Sequence, residues 1–151
     1  MGDNDSVNIH KKFAVDLFNQ TWDLMEKQDR DQYEIDRLIN GTHASCYHWS
    51  IVGEPINLAR GEWQISRVYA ILRRSEPCLY HAKRCLDITL ENKLKDFDLA
   101  FAYEAMARAY SLTNDEHKTA KYLTLAQDAA TQIQKKDDQD YFLTELNSIK
   151  S

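Results

Sequence analysis

Two prolines and four glycines are all that the 151 residues contain. That scarcity argues against a turn-rich all-β fold, which needs both residues at its many chain reversals. Cysteine is also sparse. Cys46, Cys78 and Cys85 make an odd count without the spacing of a disulfide framework, and they read as reduced thiols in a cytoplasmic setting. No apolar run approaches the ~18 residues of a membrane span, so no membrane partner is expected. The acidic, polar start Met1-Gly-Asp-Asn-Asp-Ser carries no sign of a secretory leader. The catalytic signatures are missing too: no Gly-rich phosphate loop, no Gly-x-Ser-x-Gly elbow and no His-Glu-x-x-His pair. No catalytic residue, cofactor or metal is therefore assigned, and the chain is read as a non-enzyme.

What is present is helical material. Leu, Ala, Glu, Lys, Gln and Arg dominate the interior stretches, and a hydrophobic fraction of 43% with eight tyrosines is enough for a packed core. The length suits one domain. The net charge of −5 is unevenly spread. Residues 1–54 carry ten acids against five bases, residues 55–95 four against eight, and residues 96–151 ten against six. A nucleic-acid binder would more often be basic throughout, with a continuous Lys/Arg stripe, so nucleic acid is not an expected partner. The positive island suits an acidic peptide, a small anion or a neighbouring subunit of complementary charge.

Apolar residues recur at three- and four-residue spacing along most of the chain. Residues 1–6 are expected to be a disordered tail, with Ser6 capping a helix from Val7 to about Gln28 whose face is Phe13, Leu17 and Leu24, widened by Val15, Phe18, Trp22 and Met25. A second helix should run from Arg30 or Asp31 to Val52 on Tyr33, Ile35, Leu38, Ile39, Thr42 and Cys46. Gly41, Ala44 and Ser45 form a small-residue patch that lets a neighbour come close. Gly53 should end this helix in the C′ position, and Pro55 should start a third, to about Arg74. Ser75 and Pro77 open a fourth, ending near Lys93. Asp96 caps a fifth through Leu112 or Thr113. A sixth spans about Glu116 to Lys136. A seventh from Gln139 to Ile149 offers Tyr141, Phe142, Leu146 and Ile149 as a terminal lid. Short connections make consecutive helices antiparallel neighbours.

Residues 57–126 repeat themselves. Tyr69 and Tyr110 occupy the same place in two copies, as do Cys85 and Ala126, with a period near forty residues. In the second copy Tyr103, Met106, Ala107 and Tyr110 follow an aromatic, apolar, small, aromatic order, and Asn114-Asp115 marks the turn. In the first, Glu62, Ile65, Ser66 and Tyr69 stand in those places, and Cys78, Ala82 and Cys85 fill small or apolar slots on the following helix. This pattern resembles tetratricopeptide repeats of a longer kind than the usual ~34 residues. Ala120 falls one residue late, and neither copy has a closing proline. The resemblance implies a right-handed α–α superhelix whose first helices line a concave binding groove.

Three constellations carry chemistry. Arg60, Trp63 and Arg67 share one helical face at i, i+3 and i+7, and Phe101, Glu104 and Arg108 match them in the next copy. Two guanidinium groups around an indole suit an anion with an apolar part. The competing reading places Trp63 in the core and pairs Arg67 with Glu104 or Glu62. His43 and Tyr47 share a face one helix earlier and would sit at the groove's rim. Cys78-x-x-His81-x-x-x-Cys85 puts three soft ligands on one face, as a metal site requires, although both cysteines fall where the repeat wants small packing residues.

The expectation is an all-α, tetratricopeptide-like superhelix of about seven antiparallel helices over residues 7–151. It would serve as a non-catalytic cytoplasmic adaptor or regulator that binds a protein or peptide through Arg60, Trp63, Arg67, Glu104 and Arg108, with His43 and Tyr47 at the edge. Replacing Arg60 and Arg67 should then abolish capture without loss of stability. Two alternatives stand beside it: a small enzyme with a pocket around His43, His48 and Glu62, and a structural homo-oligomer subunit such as a homodimer.

Overall fold

The computed structural model describes residues 3–149. Seven α-helices and no strand make up that span: α1 Asp3–Glu26, α2 Gln32–Val52, α3 Pro55–Ile71, α4 Ser75–Glu91, α5 Asp96–Leu112, α6 Glu116–Ala130 and α7 Lys136–Asn147. The all-α expectation holds, and most boundaries fall within a few residues of those read from periodicity.

The ends differ for physical reasons. The first helix begins at Asp3 rather than Val7, because Asp3 and Asp5 in its first turn favour the positive end of the helix dipole. Residues 1–2 of the expected tail lie outside the described residues. Asp31 caps α2 by accepting from the Glu34 backbone N–H at 2.8 Å, while Glu34 takes the Asp31 N–H at 3.2 Å. Gly53 ends α2 with φ −88°, not in the left-handed region expected of a C′ glycine. Glycine is needed there for room instead, since a Cβ would lie 2.6 Å from the Trp49 carbonyl oxygen. The left-handed positions belong to Arg73, Lys93 and Asn114, which follow α3, α4 and α5, and to Asp96. The Asp96 carboxylate accepts from its neighbour Phe97 at 2.7 Å and from Gln134 at 3.2 Å, tying the start of α5 to the loop before α7. The sixth helix stops at Ala130, and α7 starts at Lys136 rather than Gln139.

Short connections fold the chain into three hairpins, α1–α2, α3–α4 and α5–α6. Each packs on the next through α2 on α3 and α4 on α5, α3 also meets α5, and α7 closes the far end against α5 and α6. Small residues set the spacing. A Cβ on Gly61 would come within 3.0 Å of Cys46 Sγ, and one on Gly41 within 3.1 Å of Thr21 Oγ1. Ser45 Oγ donates to the Ala14 carbonyl at 2.6 Å. This close approach corrects the expected face of α1. Its buried residues are Ala14, Thr21 and Met25, whereas Phe13 and Val15 are exposed. The expected inner stripe of α2 holds at Leu38, Thr42 and Cys46, but Tyr33 faces solvent.

The central core gathers Ile65, Tyr69, Cys78, Cys85, Met106 and Tyr110. A second core joins α5 and α6 to the lid residues Phe142, Leu146 and Ile149. Tyr141, expected in that lid, is half exposed and points elsewhere.

Candidate functional site

Arg60, Trp63 and Arg67 do share one face of α3, and that face meets α5. The outcome is different for each. Glu104 on α5 is fully buried, and its carboxylate accepts from Arg67 Nη2 at 2.8 Å, Arg108 Nε at 2.7 Å and Trp63 Nε1 at 3.2 Å. Arg67 reaches on with Nη1 to Glu145 of α7 at 2.8 Å, and Arg108 Nη2 donates to the Glu145 carbonyl and to Ser148 Oγ, both at 3.0 Å. Arg67 also lies over the Trp63 ring, 5.0 Å from its centroid. Burial alone would lower the Arg67 pKa; the charge of Glu104 and the hydrogen bond and charge of Glu145 reverse this and leave it raised. Two arginines and two glutamates therefore neutralise one another at the junction of α3, α5 and α7. Arg60 is more exposed and grips Asp98 with two hydrogen bonds, of 2.8 and 3.1 Å.

Beside this network lies a cleft of about 420 Å³. α3 and α5 form its floor, contributing Trp63 and Ala59 from one and Phe97 and Phe101 from the other, with Cys85 of α4 showing beneath. α1 supplies Phe18 and Trp22 as one wall, and α7 supplies Asp138 and Tyr141 as the opposite wall. The backbones of α1 and α7 do not approach each other closely, and the cleft is open. Its aromatic rings run continuously. Phe18 meets Trp22 at 6.4 Å between centroids, Trp22 meets Trp63 at 5.7 Å, Trp63 meets Phe101 at 5.5 Å and Phe101 meets Tyr141 at 6.0 Å. The Arg60–Asp98 pair sits on the rim. Gln64, almost fully buried, holds the α1 wall in place by donating to the Phe18 carbonyl at 3.0 Å and accepting from Thr42 at 3.0 Å.

Of the residues expected to bind, Arg60 and Trp63 line this cleft; Arg67, Glu104 and Arg108 stand behind it, and His43 and Tyr47 do not border it. His43 instead belongs to a second polar cluster between α2, α3 and α4. Its Nε2 lies 2.8 Å from the Tyr69 hydroxyl, and its ring is 5.3 Å from His81. His81 Nδ1 in turn bonds Glu62 at 2.6 Å. Burial first, and then the nearby His81, hold the His43 pKa below its usual value, with Glu62 opposing. Tyr47 is exposed on the outer side of α2.

His48, Glu62 and His43 do not form one pocket. His48 faces the other way, with its Nδ1 2.9 Å from that of His10 on α1. The Cys46 thiol near Glu62 is pushed up to about 12, by burial and then by the Glu62 charge and hydrogen bond. Cys78 and Cys85 are buried packing residues; Cys78 contacts Ser66, while His81 turns to Glu62. Among the described residues no group of three His, Cys, Asp or Glu side chains is placed to hold a metal ion, and no helix is long and apolar enough to cross a membrane.

Two walls of the cleft escaped the sequence reading. Phe18 and Trp22 were visible as apolar residues of α1, but only as part of a broad hydrophobic face. Tyr141 was visible as part of the lid. Asp98, Asp138 and Glu145 carried no pattern that would have separated them from solvated surface charges. Comparison of the chain with protein-family models, with curated proteins and with solved structures finds no match.

Proposed function

We propose that the chain is a non-catalytic cytoplasmic binding module, a short tetratricopeptide-like superhelix that holds a peptide segment of a partner protein between α1 and α7. The observation that carries this reading is the open, aromatic-lined cleft. Its volume lies within the ~300–1,000 Å³ usual for ligand sites, and its many apolar rings beside few polar groups are the usual make-up of one. Exposed aromatic surface in a concavity is costly in water and is recovered when a partner side chain fills it. The superhelical reading is supported by the packing order. Hairpin stacks on hairpin, and the odd-numbered helices α1, α3, α5 and α7 all reach the cleft.

The test is a peptide library selected on the purified protein, with binders mapped by the indole N–H signals of its three tryptophans. Binders are expected to move Trp22 and Trp63 and to leave Trp49 in place. Tyr141→Ala, which alters a half-exposed side chain, should weaken binding by ~10-fold at unchanged melting temperature. Selected peptides that leave both cleft indoles unmoved would sink the reading.

A structural homodimer is the second reading. It is favoured by exposed Phe13 and Tyr47, which flank His48 on the outer side of the α1–α2 hairpin, with Ile51 exposed one turn on. Sedimentation at micromolar concentration should then give twice the monomer mass, reverting to the monomer in Phe13→Ser.

A further inference from the structure

The charges around the cleft indicate what kind of side chain enters it. Three ionised groups line the space: Arg60, Asp98 and Asp138. Arg60 and Asp98 cancel through their two hydrogen bonds. Asp138, half-buried in the first turn of α7, has no hydrogen-bond or ion-pair partner among the described residues, so the lining retains one negative charge. Behind the floor, Arg67 and Arg108 are matched by Glu104 and Glu145. The guanidinium groups that made an acidic ligand expected are thus already engaged by carboxylates of the same chain.

The rest of the lining is aromatic, and ring faces attract cations. Within the chain itself Trp63 already takes part in one such contact, with the Arg67 guanidinium 5.0 Å from its ring centroid. A flat, weakly hydrated guanidinium on an apolar stem loses less on leaving water than a compact ammonium does, and it can accept a ring on its face while donating in-plane to a carboxylate.

Building on the reading of the cleft as a peptide site, we propose that it recognises an arginine side chain of the partner. The stem and guanidinium lie among Trp22, Trp63 and Tyr141, and Asp138 accepts from the guanidinium edge.

The test uses three capped peptides, acetyl-Gly-Arg-Gly-amide, the same peptide with citrulline and the same peptide with glutamate, titrated into the full chain while the three indole signals are followed. Citrulline keeps the shape and removes the charge. The arginine peptide should move Trp22 and Trp63 with an affinity ~5-fold or more above that of the citrulline peptide, and 300 mM salt should narrow the gap. Asp138→Asn should cut the arginine affinity ~3-fold and leave that for citrulline unchanged. Equal affinity for arginine and citrulline, or tighter binding of glutamate, overturns the arginine proposal while leaving the peptide site intact. If none of the three moves the indoles although library peptides do, only the arginine proposal falls; if library peptides fail as well, both fall.

Discussion

Glu104 and His43 show how much depends on single side chains here. Glu104 has no contact with water, and its carboxylate accepts from two guanidinium groups and an indole N–H. Glu104→Gln preserves shape but leaves Arg67 and Arg108 short of negative charge in a desolvated place. Urea unfolding should show a loss of ~3 kcal/mol or more, whereas Arg60→Ala, which removes a half-exposed partner of Asp98, should cost less, ~1–2 kcal/mol. The same contrast revises the expectation that Arg67 can be removed without harm; its side chain is 13% exposed and joins two carboxylates. His43 gives a pH dependence. Its folded pKa is lowered from 6.5 by burial and by His81, so the unfolded chain binds a proton more readily than the folded one. Stability should therefore fall as pH drops below about 6.5 and level off beneath the lowered folded value. His43→Gln, which can still meet Tyr69, should flatten that part of the stability–pH curve measured between pH 8 and pH 5.

At the scale of the element, small residues decide which helix faces which. α2 approaches α1 over Gly41 and Ser45 and approaches α3 over Gly61. Helix propensity favours alanine over glycine by ~1 kcal/mol, but a Cβ at Gly61 would press on Cys46 Sγ at 3.0 Å and on its Cβ at 3.4 Å, atoms close to the backbone that have little freedom to move. Gly61→Ala should lower stability by ~1 kcal/mol net, read as a fall in the denaturation midpoint with unchanged slope. This close approach is also why the bulky side chains Phe13 and Val15 turn outward while Ala14 and Thr21 are buried.

At the scale of the molecule, α7 does more than close the stack. It buries Phe142 and Leu146 against α5 and α6, anchors Glu145 to Arg67, and presents Tyr141 and Asp138 across from α1. The cleft exists because α1 and α7 are held apart by α3 and α5, so the buried ion network and the open site share a boundary at Trp63. One edge of its indole donates to Glu104, and the ring forms part of the cleft floor.

Helix count, helix order and most of the inner faces were determined by sequence alone, because helical periodicity is a relation between residues three and four apart. The turn at Asn114 was legible from the Asn-Asp pair that interrupts the periodicity. The repeat also brought Arg67 and Glu104 into view as possible partners, since they lie on matching faces of the first helices of adjacent copies. Only the tertiary structure decided that Glu145, 78 residues from Arg67, completes that pairing, that His81 turns to Glu62, and that Trp22 and Tyr141 wall one cleft. Those contacts depend on how closely whole helices approach and how far they are rotated about their axes, and no local spacing encodes either quantity.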